Sequence, residues 1–151
     1  MDRPLQDVLK VKCFGCGSLN EHGLQIKSRI VGDELVCRWR PEPFHIGYPG
    51  TVYGGTIASI VDCHCMWTAM AERCRDVGHD LESGAPPFAY VTGKLTVSYL
   101  KPLKIDGEIA LHARVVKQGE RTAVVVCQVI QDGVECATAE VVAVRIAVPH
   151  E

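Results

Sequence analysis

The chain has 151 residues, with 16 Lys+Arg against 18 Asp+Glu for a net charge of −2, and is 47% hydrophobic, 23% charged and 6% aromatic. A near-neutral chain without a basic block excludes nucleic acid or an anionic membrane as its main partner. A chain of this size buries enough surface to need no disulfide or metal staple. The opening MDRPLQDVLKVKCFG has no long apolar run, and the most apolar stretch, Thr56 to Ala71, is interrupted by Asp62 and His64. Neither a secretory signal nor a membrane span is read, so the cytoplasm is the expected location. The eight cysteines then read as reduced thiols used as small apolar residues.

From Gly23 to Arg40 the apolar residues alternate, Leu24 and Ile26 before Gly32-Asp33, and Leu35, Cys37 and Trp39 after it. This period of two predicts two strands joined by a tight turn. PEPFHIGYPG follows, whose prolines and glycines predict a shaped loop without helix or ladder. Gly54 to Arg75 has no proline, is rich in Ala, Ile and Met, and closes on Glu72, Arg73 and Arg75, which predicts one long helix. After the polar link DVGHDLESGAPP come the strand-like runs Phe88–Leu100, Ile105–Lys117 and Ala123–Ile130, and then Glu135–Val148, joined to the run before it by Asp132-Gly133. Turns this short require antiparallel neighbours. The expected architecture is α+β in one domain spanning 1–151, with 1–22 as an N-terminal segment.

At about 100° per residue, Ile57, Ile60, His64, Trp67 and Ala71 share one side of the helix, and Gly55, Ala58, Asp62, Cys65, Met66 and Ala69 the other. Both sides are apolar, so the helix is expected to be buried all round, and a carboxylate at Asp62 is then costly unless it is paired or wet. Two readings fit: a structural Asp paired at an interface, or a carboxylate in a dry cleft available as base or nucleophile. Gly54 and Gly55 open the helix, where free N–H groups favour developing negative charge. Gly55 and Asp62 lie about 10 Å apart along the axis, too far to share one carbonyl within a chain. Two antiparallel helices across a two-fold axis would face Gly55 of one chain with Asp62 of the other, so shared chemistry predicts a dimer.

These elements resemble the hotdog fold, a curved antiparallel sheet wrapped around one long helix, and specifically the phenylacetate-pathway (PaaI-like) acyl-CoA thioesterases. The residues that carry the resemblance are Cys13-Phe-Gly-Cys16-Gly with Asn20 and Gly23-Leu24, then His45, Gly50 and Tyr53-Gly54-Gly55, then Asp62, Thr92, Leu95, Val97 and Tyr99-Leu-Lys-Pro102, and finally Asp132-Gly133 with Ala137 and Ala139. The resemblance implies that the Gly55 N–H polarises the thioester carbonyl, that Asp62 is the catalytic acid acting as nucleophile or base, and that Thr92 holds the attacking water or orients the carboxylate. It implies an acyl-CoA substrate, with coenzyme A entering as part of it and no separate cofactor, and self-association as dimers with composite sites or as a dimer of dimers. Two positions depart from the family pattern. Tyr53 stands where His is usual before the glycines, its hydroxyl being the available donor, and Gly47 stands where Asn or Gln is usual.

The other polar residues leave alternatives open. His45 and Gly54 sit in motif positions near the substrate, though His45 reads equally as a residue that fixes its loop. Cys65 and Met66 are expected to line the acyl pocket, and His64 to be structural. Cys13-x-x-Cys16 with Cys63-His64-Cys65 invites a zinc site, but Cys63 and Cys65 point about 200° apart on a helix, so no metal is expected. Lys101, Lys104, Lys117 and Arg121 lie near strand ends, where CoA phosphates bind in similar proteins, and also read as a solvated face. A non-catalytic acyl-CoA sensor is the competing function. A hydratase or dehydratase is disfavoured because the helix acid has no motif histidine beside it.

Overall fold

The proline-free stretch that opens on two glycines forms helix α2 (Gly54–Val77), 24 residues long and closed by Gly78 in the left-handed region. In the computed structural model, which describes residues 2–148, it runs two residues past the expected Arg75. Residue 1 and residues 149–151 of the expected 1–151 span lie outside the described residues. Around α2 wraps a six-stranded antiparallel sheet made of β1 (Ser28–Val31), β2 (Glu34–Trp39), β3 (Phe88–Tyr99), β4 (Ile109–Gln118), β5 (Thr122–Gln131) and β6 (Val134–Ala147), in the order β1-β2-β4-β5-β6-β3. This is the hotdog arrangement. No helix among the described residues is long and apolar enough to cross a membrane.

The sheet curves because its ladders are interrupted between Thr92 and Lys94, between Val115 and Lys117, and between Val129 and Ile130, bulges that bend and twist a strand. Its inner face carries many small residues, among them Ala113, Ala123, Cys127, Ala137 and Ala143, which let the helix sit close. Ile57, Ile60 and Val61 of α2 pack against Leu111, Val125, Val129 and Val141, all at most 1% exposed. Burying each such side chain contributes roughly 1.5–3 kcal/mol.

Several expectations need correction. Leu24 and Ile26 are buried but belong to no strand, because Gln25 between them takes a positive φ of 54° that no ladder tolerates. Strand β4 begins at Ile109 rather than Ile105. The 41–50 loop contains one helical turn, Pro43–His45, closed by a capping box between Glu42 and His45. A short helix α1 (Leu5–Val8), which no periodicity announces, places Gln6 in the core. Helix α2 is not buried all round either. A stripe through Gly55, Ser59, Asp62 and Met66 stays partly open.

The far side of α2 carries a closed polar network. His64 is fully buried; its Nε2–H donates to the Leu35 carbonyl at 3.0 Å and its Nδ1 accepts from the Ser28 hydroxyl at 2.8 Å. Gln6 donates to that hydroxyl at 2.9 Å and accepts the Ser28 N–H at 2.7 Å, so α1 is tied to β1 and α2 through satisfied groups. Burial lowers the His64 pKa from 6.5 to about 4. The unfolded chain therefore takes up a proton that the folded chain refuses, and the stability from this site is complete above pH ~6.5 and lost as pH falls towards 4. Urea unfolding compared at pH 7 and pH 4.5 is expected to show a loss of roughly 2 kcal/mol from this group, with a shallower slope in His64→Gln.

Candidate active site

The N-terminal segment, the middle of α2 and the start of β3 enclose an open, mainly apolar cleft of about 560 Å3. Leu9 and Val11 line one side, Met66, Trp67 and Met70 the helix side, and Phe88, Tyr90 and Val91 the strand side. The rings of Phe88 and Tyr90 meet edge-on at 6.3 Å. Asp62 and Thr92 supply the polar pair in this lining, and the Thr92 hydroxyl donates a short hydrogen bond to Asp62 Oδ1. The β3 irregularity directly after Thr92 re-aims the strand at this point, which is what a bulge beside a site does. Asp62 is half-buried and borders apolar side chains on several sides.

Gly54 and Gly55 are the first residues of α2, so their N–H groups have no acceptor within the helix and point out along its positive end. A second opening of about 270 Å3 runs past Gly54 between Thr51, Tyr99 and Lys101. Tyr99 was part of the sequence motif but carried no assigned role. Its hydroxyl donates to the Gly54 carbonyl at 2.5 Å and its ring lies against Gly54, which fixes the peptide that aims the Gly55 N–H. Tyr99→Phe is expected to weaken whatever the Gly55 N–H stabilises about fivefold, the value of one hydrogen bond, while leaving the urea midpoint nearly unchanged.

Tyr53 caps α2 without a side-chain bond to the helix, and its ring covers Gly55: a Cβ built there would lie 2.6 Å from the ring edge. The backbone of Tyr53 also explains Gly47, where a Cβ would meet the Tyr53 Cα at 2.8 Å. The missing Asn or Gln at position 47 is thus a packing consequence of how the loop crosses itself. His45 faces its own loop. Its Nδ1 accepts the Glu42 N–H at 2.9 Å, its ring packs on Trp39 at 5.2 Å, and its carbonyl accepts the Tyr53 N–H at 2.8 Å. The structure therefore places His45 as the residue that holds the turn carrying Tyr53.

Of the pocket residues expected from sequence, Met66 lines the cleft and Cys65 does not. Cys65 is fully buried; its hydrogen bond with Cys127, and then burial, push its thiol well above the ordinary range. Cys63 diverges from it as expected, but towards Cys13 and Cys16, which also line the cleft. Hydrogen bonding from Cys63, helped by Trp67 and Cys13, pulls the Cys16 thiol down to about 6 against the effect of burial. Lys104 pairs loosely with Asp132 at 3.8 Å, and Lys101 faces the opening beside Gly54.

The sequence pattern of the family described as Thioesterase superfamily matches residues 49–138. Acyl-coenzyme A thioesterase 13 of Mus musculus is 33% identical over 91 residues, which is 60% of this chain and 56% of that protein. The chain thus spans little more than half the length of the curated relatives it matches. A Thioesterase superfamily protein from Shewanella loihica PV-4 superposes with a TM-score of 0.66 at 32% identity, covering 86% of this chain and 96% of that one. The PaaI protein of the E. coli phenylacetic acid degradation operon shares the fold, with a TM-score of 0.64 at 17% identity over 82% of this chain and 81% of that one.

Proposed function

The chain belongs to the thioesterase superfamily, and from that premise we propose that it hydrolyses the thioester bond of an acyl- or aryl-CoA. The observation that carries the proposal is the Asp62–Thr92 pair facing an apolar cleft. In this scheme the acyl group lies in the cleft and the thioester carbonyl accepts from the Gly55 N–H, where the helix end stabilises the oxyanion. Asp62, oriented by Thr92, either takes a proton from the attacking water or attacks the carbonyl carbon itself. Both routes break the C–S bond and release the CoA thiol; the first gives the free acid directly, and the second gives it after water hydrolyses the acyl–Asp62 anhydride and restores the carboxylate. Coenzyme A arrives as part of the substrate and no separate cofactor takes part in the chemistry. In the same scheme Lys101, which lines the opening beside Gly54, meets the CoA phosphates.

The site requires two chains in this scheme, because Gly55 and Asp62 are seven residues apart on one helix. Two observations support an antiparallel dimer, open to further pairing. Strand β3 is a 12-residue edge strand with one side unpaired, a template for a partner strand. The open stripe of α2 carries both Gly55 and Asp62. The eight free cysteines fit the reducing cytoplasm.

A panel of short, long and aromatic acyl-CoAs assayed with a thiol reagent tests the proposal. Release of the CoA thiol well above background from at least one class is expected. The Tyr53 ring over Gly55 favours one competing outcome, saturable acyl-CoA binding without thiol release, and that result would replace the hydrolase with a sensor.

A further inference from the structure

We propose that Cys13, Cys16 and Cys63 form a zinc site that clips the N-terminal segment onto α2 at the wall of the cleft. The three sulfur atoms lie within 4.8 Å of one another, and the Cys13 and Cys63 sulfurs are 3.7 Å apart. Tetrahedral Zn2+ with bonds of about 2.3 Å to sulfur holds its thiolates about 3.8 Å apart, so binding needs only small side-chain adjustments. Cys13 and Cys16 have the two-residue spacing common in such sites, and the third ligand comes from a helix more than 45 residues further along, as expected for a metal that ties one segment to another.

The turn is shaped for this approach. The Gly17 N–H closes it on the Cys13 carbonyl at 2.7 Å, and a Cβ on Gly15 would lie 2.5 Å from the Cys63 sulfur. A side chain at position 15 would therefore keep the helix thiol away from the other two. Cys65, whose divergence from Cys63 argued against a metal in the sequence, has no part in the site. Since the cysteines border the open cleft, water supplies the fourth ligand. Three thiolates, rather than a mixed oxygen set, select a thiophilic ion over magnesium or calcium.

The test uses the full chain, reduced, stripped with a chelator and titrated with Zn2+ against a chromophoric competitor. One zinc per chain is expected, together with a zinc-dependent rise in Tm. Substituting Co2+ is expected to give the thiolate charge-transfer and tetrahedral d–d bands of a sulfur-rich site. Cys13→Ser, at an exposed position that the fold tolerates, and Cys63→Ser are each expected to weaken zinc more than about a hundredfold and to abolish the Tm increment, whereas Cys136→Ala leaves both unchanged. Substoichiometric zinc in the wild type, or equal affinity in Cys13→Ser and wild type, would overturn the proposal. So would loss of two thiols on removing reductant from the metal-free chain without recovery of zinc binding, which would mark the cluster as a disulfide pair instead.

Discussion

Asp62→Asn is expected to lower thioester hydrolysis by about 10²–10⁴ in kcat, the usual contribution of a positioned acid or base. The substitution keeps the volume and an oxygen that can still accept from the Thr92 hydroxyl, so the local geometry survives and only the chemistry is removed. Asp62 is half-buried beside Met66 and Trp67, and asparagine is cheaper to bury than a carboxylate, so Tm should hold or rise slightly. Thiol release and size-exclusion elution measured on one preparation separate the two effects. A variant that elutes like wild type and turns over at the wild-type rate would remove Asp62 from the mechanism. The same variant distinguishes hydrolysis at this site from background release, because the background does not respond to it.

The second large effect comes from mixing two dead chains. Gly55→Val places a branched side chain where the Tyr53 ring edge would be 2.6 Å from even a Cβ, which forces the ring aside and screens the Gly55 N–H. Removing such a donor costs about 10²–10³ in kcat. If each site joins Gly55 of one chain to Asp62 of the other, a heterodimer of Gly55→Val with Asp62→Asn holds one doubly damaged site and one intact site. Random pairing at equal amounts makes about half the dimers mixed, so about one quarter of wild-type activity returns. Mixing the refolded chains and assaying thiol release reads this directly. If both residues acted within one chain, no combination would recover activity, and a mixture as inactive as its components would sink the composite site.

Much of this was legible in the sequence, because the signals were local. Two glycines at the start of a proline-free run marked the helix opening at Gly54, and Asp132-Gly133 announced the β5–β6 hairpin, whose two turn residues take positive φ of 53° and 73°. The carboxylate at Asp62 stood out because a helix apolar on both sides has no place for an unpaired charge, and Thr92 was found only through the family resemblance. What was not legible depends on where the chain travels. The alternation at Leu24 and Ile26 imitates a strand, but both residues are drawn inward by packing while Gln25 turns the backbone between them. Cys63 and Cys65 look alike in sequence, yet one meets the core and the other meets a turn 50 residues earlier. The contact between Tyr99 and Gly54 spans 45 residues, and no periodicity encodes it.

The cleft has a divided origin. Its floor and reactive pair, from Asp62 to Thr92, fall inside the stretch shared with the superfamily, residues 49–138, whereas Leu9, Val11, Cys13 and Cys16 on the opposite wall precede it. In the proposed mechanism the reacting pair lies in the shared stretch, together with Met66, Trp67 and Phe88 of the lining, while one wall of the cleft comes from residues outside it. On the hydrolase reading, substitutions at Leu9 or Val11 are expected to change which acyl groups the cleft admits while leaving Asp62 and Thr92 untouched.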